Sequence, residues 1–215
     1  MAGSAAAWRG VYARSEELEG SALLAVERRA FFDLLRMANT LESPRGIARQ
    51  LAVLARQLSG CEAVGIRLKE GPDFPYAAHL GFPEEFVALE DSLCSTGPDG
   101  RLLRDAQRRP ILGGFCGRVL SAPMAADQLG FTARGSFIAA SPSRSHGSQH
   151  RECPRHQCGF AGYATVGLFP IRMDEVTYGL IQCNDRRPGL LTGKVIDLME
   201  GLASSAAHLL QLAMA

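Results

Sequence analysis

The chain has no apolar run near the roughly 20 residues that a bilayer-spanning helix requires. Its first stretch, MAGSAAAWRGVYARSEELEG, carries no apolar core of signal-peptide type before its first charges, so the chain reads as cytoplasmic. Neither sign of charge dominates: 23 Lys and Arg against 22 Asp and Glu leave a net +1. That balance argues against nucleic acid and against a membrane surface as partners. There is no P-loop and no G-x-G-x-x-G following a strand, so nucleotide chemistry has no signature here. The tight C-x2-C knuckle of many zinc sites is also missing.

What remains is a chain of 215 residues, 47% hydrophobic and 21% charged, ordinary for one soluble globular domain. Residues 1–20 are expected to form a flexible N-terminus, and residues 21–215 a single domain with helices at both ends. Leu23, Leu24, Phe31, Leu34, Leu35 and Met37 recur at three- and four-residue steps, the stripe of an amphipathic helix. Ser43-Pro44 stops it and opens a second helix, with Ser43 as N-cap and Pro44 at the first position. Ile47, Leu51, Leu54, Ala55 and Leu58 make its buried face, and Ser59-Gly60 closes it.

The period then changes. Residues 63–68 alternate as a strand does, and 74–80 follow as a second strand after a Gly-Pro-Asp turn. Residues 81–110 hold turns, charges and a short helix near 84–89. A further short helix is expected over 113–122 and a third strand over 136–140. Residues 141–157 are polar, basic and rich in Ser and His, a long exposed loop. Strands over 163–171 and 176–184 form a hairpin, and a helix over 192–214 ends the chain. The order predicts a mixed α/β chain with an antiparallel sheet and helices stacked on one side.

Four of the six cysteines, Cys94, Cys116, Cys153 and Cys158, crowd into the irregular middle. In a reducing compartment such thiols are free, metal-binding or redox-active rather than a disulfide framework. Cys153 and Cys158, with His150 and His156 nearby, offer ligands for zinc or an iron–sulfur cluster if other loops converge on them. The alternatives are a metal-free redox pair and simple packing. His146, His150 and His156 also suit a solvated loop or an anion-binding lid. Cys116 stands where a short helix begins after two glycines, a place that favours a thiolate. Cys61, Cys183, His79 and His208 read as packing or surface residues.

Residues 63–68, residues 113–122, and the run Ala164-Thr-Val-Gly-Leu-Phe-Pro-Ile-Arg172 followed by Tyr178-Gly-Leu-Ile-Gln182 resemble the GAF domain, a small-molecule sensing module of signalling proteins. The likeness spans roughly residues 25–213. It implies an α+β fold: an antiparallel sheet of five to six strands, the N- and C-terminal helices on one face, and a long irregular insert over the other. Gly81-Phe-Pro-Glu-Glu-Phe86, Asp91-Ser-Leu-Cys94, Phe115-Cys-Gly-Arg-Val-Leu120, Gly135-Ser-Phe137 and Asn184-Asp-Arg-Arg-Pro188 resemble the GAF modules of bacterial histidine kinases. In that subgroup cysteines recur at positions matching Cys94, Cys116 and Cys158; Cys153 is peculiar to this chain. No kinase core follows, so the chain reads as a stand-alone sensor.

The resemblance implies a pocket between the sheet and residues 91–160, where Cys94, Cys116 and Cys158 would bind a cofactor or small ligand. With Cys153 as fourth ligand the set would hold a metal or iron–sulfur cluster. It implies a homodimer through the terminal helices and, as output partner, a histidine kinase or a transcription regulator. A weaker likeness points to free methionine-R-sulfoxide reductases, which share Gly114-Phe115-Cys116-Gly117, a cysteine placed as Cys158 is before Pro170, and a third upstream as Cys94 is. This alternative is an oxidoreductase with Cys116 or Cys158 as nucleophile. Its acidic position before the apolar strand is Ala164-Thr165-Val166 here, and of its paired carboxylates Asp185 retains one while Cys183 stands at the other. The cyclic-nucleotide N-K-F-D-E motif and the Cys-His pair of bilin-binding members are absent.

Overall fold

The computed structural model describes residues 43–121, 130–140, 158 and 161–214, and seven residues of an earlier helix: Ala25, Arg28, Arg29, Phe32, Asp33, Leu34 and Arg36. Of the N-terminal stripe, Leu34 packs on the core; the other residues read into it lie outside the described ones. Helix α1, Pro44–Ser59, starts and stops as its sequence directs. The Ser43 side chain accepts the Gly46 N–H at 3.2 Å, and Pro44 stands at the start, where no N–H is needed. Gly60, at φ 66°, closes the helix by donating to the Arg56 carbonyl.

Five strands form one sheet in the order β2-β1-β5-β4-β3, and every neighbouring pair is antiparallel. They are β1 (Ala63–Leu68), β2 (Tyr76–Leu80), β3 (Phe137–Ala140), β4 (Thr165–Met173) and β5 (Val176–Asp185). β2 begins at Tyr76 rather than at residue 74. Pro75 has no N–H to give a ladder, its carbonyl takes the Leu68 N–H, and the register slips between Ile66 and Arg67. β4 starts two residues later than the alternation suggests and runs on to Met173, where Asp174 turns the hairpin at φ 53°. Helices α2 (Glu84–Glu90) and α3 (Gly114–Ser121) lie between β2 and β3, and α4 (Gly193–Met214) ends the chain.

Both faces of the sheet are covered. On one, α1 and α4 bury Val64, Ile66, Leu68, Phe169, Ile171 and Ile181 against Leu51, Met199, Leu202, Ala206 and Leu210. Each large apolar side chain sealed there contributes about 1.5–3 kcal/mol. On the other, α2, α3 and the segments around them bury Ala63, Leu168, Leu180, Phe137 and Ala139 beneath Phe82, Phe86, Leu93, Val119 and Tyr163. This double cover is why all six residues of β1 are buried. None of the helices among the described residues is long and apolar enough to cross a membrane.

Residues 93–113, expected as turns, make a closed figure. Ser95 N–H donates to the Ile111 carbonyl, Ile111 N–H to that of Leu103, and Leu103 N–H to that of Ser95, all at 2.8–2.9 Å. Three short extended pieces, eight residues apart, thus satisfy one another in a ring. The ring delivers the chain to α3, where Gly117 lies against the Leu112 backbone so closely that a Cβ would sit 2.4 Å from its carbonyl carbon.

Candidate functional site

The strands place their polar residues on the face under α2 and α3. Arg67, alternating with Ile66 and Leu68 on β1, points there and is fully buried. Its Nη1 donates to the carbonyls of Phe74 and Asp91, both at 2.9 Å, and its Nη2 to that of Glu90 at 2.6 Å. Its guanidinium lies 3.7 Å from the centroid of the Tyr76 ring. Nε has no hydrogen-bond partner among the described residues. The Tyr76 ring in turn lies over Gly65, where an added Cβ would stand 2.4 Å from Cε1. Only glycine leaves that ring its place.

Tyr76 connects β1 and β2 to β5. Its hydroxyl donates to Oε1 of Gln182 at 2.8 Å, and Gln182 Nε2 donates to Asn184 Oδ1 at 3.3 Å. Gln182 and Asn184 are fully buried and, two apart on one strand, share a face. Burial raises the Tyr76 phenol well above its ordinary pKa, so it stays a donor across the physiological range.

Two thiols meet this carboxamide from different segments. Cys116, on the first turn of α3, is buried and donates from Sγ to Gln182 Oε1 at 3.8 Å; Gln182 Nε2 donates to Cys158 Sγ at 3.6 Å. Cys158 is half-buried as a residue, and desolvation, with Cys116 adding to it, pushes the thiol up to about 12. At neutral pH it is therefore S–H. At the helix start, the Cys116 sulfur faces the Gln182 carbonyl oxygen, to which it donates, while the buried Arg67 guanidinium also acts on it. Phe82 and Phe86 stack at 4.8 Å with Tyr163 edge-on to both, and Phe115 stacks on Phe137 at 4.3 Å, closing the site with aromatic rings.

The other candidates fall elsewhere. Cys94 is buried with its sulfur 3.5 Å from the Pro72 carbonyl. Cys61 and Cys183 share a thiol–thiol hydrogen bond in the core on the α1 and α4 side; it lowers the Cys61 pKa and raises that of Cys183. Asp185 is spent at the mouth of the sheet: it accepts from Glu62 N–H, Arg187 N–H and the Arg187 guanidinium at 2.8–2.9 Å. The Arg187 hydrogen bond outweighs burial and holds its carboxyl down to about 2. His79 and His208 are exposed. Cys153, His146, His150 and His156 lie outside the described residues. Among the described residues no three of His, Cys, Asp and Glu converge as metal ligands.

Composition and spacing give Arg67, Tyr76, Gln182 and Asn184 no role in the site; Gln182 and Asn184 stand out only within the runs that resemble GAF domains. The available signal was Gln182 and Asn184 themselves, two amides at alternate positions in an otherwise apolar strand.

No protein-family model matches this chain, and no curated protein does. Solved structures do. The GAF domain of an Acinetobacter phosphoenolpyruvate-protein phosphotransferase aligns over 89% of this chain and 93% of its own, at TM-score 0.56 and 12% identity. The GAF domain of the cyanobacteriochrome TePixJ aligns over 83% and 94%, at TM-score 0.54 and 14% identity. A domain ascribed to a two-component sensor histidine kinase protein of Sinorhizobium meliloti 1021 aligns over 81% and 94%, at TM-score 0.54 and 12% identity. At such identities what is shared is architecture, and with the antiparallel sheet, its two covered faces and the helices in their order, this chain has the GAF fold.

Proposed function

We propose that this chain is a sensory or regulatory module whose sensing element is the thiol pair Cys116 and Cys158. The observation that carries the reading is that two sulfurs from separate segments contact the same buried carboxamide, at 3.8 and 3.6 Å. Oxidation by a peroxide joins them. One sulfur, as thiolate, attacks a peroxide oxygen; the O–O bond breaks, one water leaves and a sulfenic acid remains. The second sulfur displaces the hydroxyl as another water and the S–S bond forms, so two thiols lose two electrons and the peroxide gains them. Joining these segments pulls on α3, whose last carbonyls, Val119 and Leu120, are held by Arg172 Nη2 on β4 at 3.0 and 3.4 Å. The β4–β5 hairpin thereby receives the change. A histidine kinase or transcription regulator, or a second copy of the chain meeting it through the terminal helices, reads it.

A zinc or iron–sulfur centre on Cys94, Cys116, Cys153 and Cys158 needs at least three converging ligands. The described residues do not fit one: the Cys94 sulfur lies against the Pro72 carbonyl, and no three such ligands converge among them. Oxidoreductase action on an amino-acid sulfoxide would need carboxylates in the pocket for the ammonium group. Asp185 is locked to Arg187 and Cys183 faces the helices, so sensing is the better reading.

Peptide mapping under non-reducing conditions, after stoichiometric hydrogen peroxide, tests it. A peptide linked through Cys116 and Cys158 is expected, lost in Cys116→Ser and in Cys158→Ser. If peroxide leaves both thiols open to alkylation, the reading is wrong.

A further inference from the structure

A carboxamide has two N–H donors and two carbonyl lone pairs, and in Gln182 all four are occupied. Oε1 accepts from Tyr76 and from Cys116, and Nε2 donates to Asn184 Oδ1 and to Cys158. The two ends are unlike, and a thiolate can accept a hydrogen bond but not donate one. So the orientation of this one amide assigns different parts to the two sulfurs. The buried Arg67 guanidinium acts on both sulfurs and favours their charge, and Glu90 opposes charge on Cys158. Against that common background the sulfur facing Oε1 is biased toward S–H, because an ionised sulfur there would meet a carbonyl oxygen. The sulfur facing Nε2 has the donor that would steady a negative charge.

The arrangement leaves one group unspent. Asn184 is fully buried and its Nδ2 makes no hydrogen bond of standard geometry among the described residues, although the same side chain lies close enough to Cys158 to favour its thiolate. A buried donor left without an acceptor costs about 1–3 kcal/mol. Turning over the amides of Gln182 and Asn184 together exchanges nitrogen for oxygen at nearly the same positions. Asn184 Nδ2 then donates to the Gln182 oxygen, and Cys158 donates its S–H to that same atom. Gln182 Nε2 is brought to Cys116 and to the Tyr76 hydroxyl, which accepts as readily as it donates. The turned arrangement keeps every contact of Gln182 and gives Asn184 Nδ2 an acceptor; in exchange Asn184 Oδ1 takes the place without a partner and the Tyr76 proton loses the Gln182 oxygen, so neither position satisfies every group.

We propose that the Gln182 carboxamide is a two-position selector, keyed by Asn184, that decides which of Cys116 and Cys158 can carry negative charge and so which attacks an electrophile. Gln182 is a positioning residue: it acts through the two sulfurs and itself meets no substrate. In the position seen here Cys116 is held as S–H and Cys158, although it faces the donor, is kept protonated by burial, so the pair is silent. In the turned position Cys116 is armed and Cys158 becomes the thiol that resolves. The biological use of the selector rests on the thiol-pair reading, but the selector itself concerns ionisation and is measurable with no oxidant present.

The test is alkylation of the reduced full chain by iodoacetamide from about pH 6 to about pH 10, across the range where thiols ionise, with each cysteine followed by peptide mass spectrometry. Gln182→Glu replaces the N–H donors by acceptors, so both thiols are expected to react about tenfold more slowly near pH 8, a shift of about one unit in each profile. Gln182→Met removes the polarity and the difference between the two ends, so the ratio of Cys116 to Cys158 rates near pH 8 is expected to differ from that of the parent chain. Cys183, fully buried in the opposite core, reports folding in the same map: a variant in which it stays protected is folded. Should Gln182→Met fail to fold, the nearly isosteric Gln182→Glu decides alone. A folded variant whose Cys116 and Cys158 profiles match the parent chain overturns the selector. If the peroxide-linked peptide forms but these profiles do not move, the selector falls and the thiol-pair reading stands; if the profiles move but no linked peptide ever forms, the reverse holds.

Discussion

Ile181 and Gln182 are neighbours on β5 and both are fully buried, yet they belong to different kinds of interior. Ile181 faces α1 and α4 and meets Ile66, Phe169 and the leucines of the two long helices. Gln182 faces α2 and α3 and meets a phenol, a second amide and two thiols. One side of the sheet is sealed by the hydrophobic effect, which asks only for volume and shape. The other is held by hydrogen bonds that demand particular atoms at particular distances. A polar interior is a costly way to fill space, and its presence on one side only marks where the chain gives up packing for chemistry.

The largest effect should come from the apolar side. Ile181→Ala is expected to cost about 4 kcal/mol in urea unfolding, from lost transfer energy and the cavity left behind. The Cys116 alkylation profile of the folded fraction should not change. A changed profile would mean that the two sides are not independent. Gly65→Ala sharpens the contrast from the other direction. The new methyl would displace the Tyr76 ring at a cost of about 2 kcal/mol, typical of overpacking, and would break the 2.8 Å bond to Gln182. Stability should fall less than in Ile181→Ala, while the balance of Cys116 against Cys158 reactivity shifts. An unaltered balance would remove Tyr76 from the network.

The smallest effect concerns the border between the two sides, where Asp185 ties Glu62 and Arg187 together. Its carboxyl lies lower in the folded chain, about 2, than in the unfolded chain, near the model-peptide value of 3.8. A depressed carboxyl stabilises the fold fully above the unfolded value, and that contribution is lost as pH falls from about 4 toward about 2. Urea midpoints taken across that window should decline in the parent chain and decline less in Asp185→Asn. Equal slopes would show that other carboxyls control the acid limb.

The elements were legible because each is written locally. Ser43, Pro44 and Gly60 bound α1 as capping chemistry requires, and the strand alternation located β1, β4 and β5 to within two residues. The site was legible only in part. Cys116 and Cys158 both reach the Gln182 carboxamide, while the Cys94 sulfur lies against the Pro72 carbonyl. Which sulfurs meet depends on the register of β1 against β5 and on how closely Gly117 lets α3 approach Leu112, neither of which a local pattern encodes. Arg67 was hidden for a different reason. In a strand with one wet face, an arginine alternating with Ile66 and Leu68 reads as solvated; here the second face is also covered, and three backbone carbonyls take the place of water.

The ring that Ser95, Leu103 and Ile111 close among themselves makes residues 93–113 a self-contained cassette. The backbone hydrogen bonds of residues 95–111 are spent internally, so the two tips at 97–100 and 105–108 tolerate lengthening or a grafted epitope without disturbing the sheet. A fluorophore attached at Arg108 would sit on exposed ground while remaining rigidly geared, through Leu112 and Gly117, to the helix that carries Cys116. That gives an optical handle on the buried thiols from a place no oxidant needs to reach.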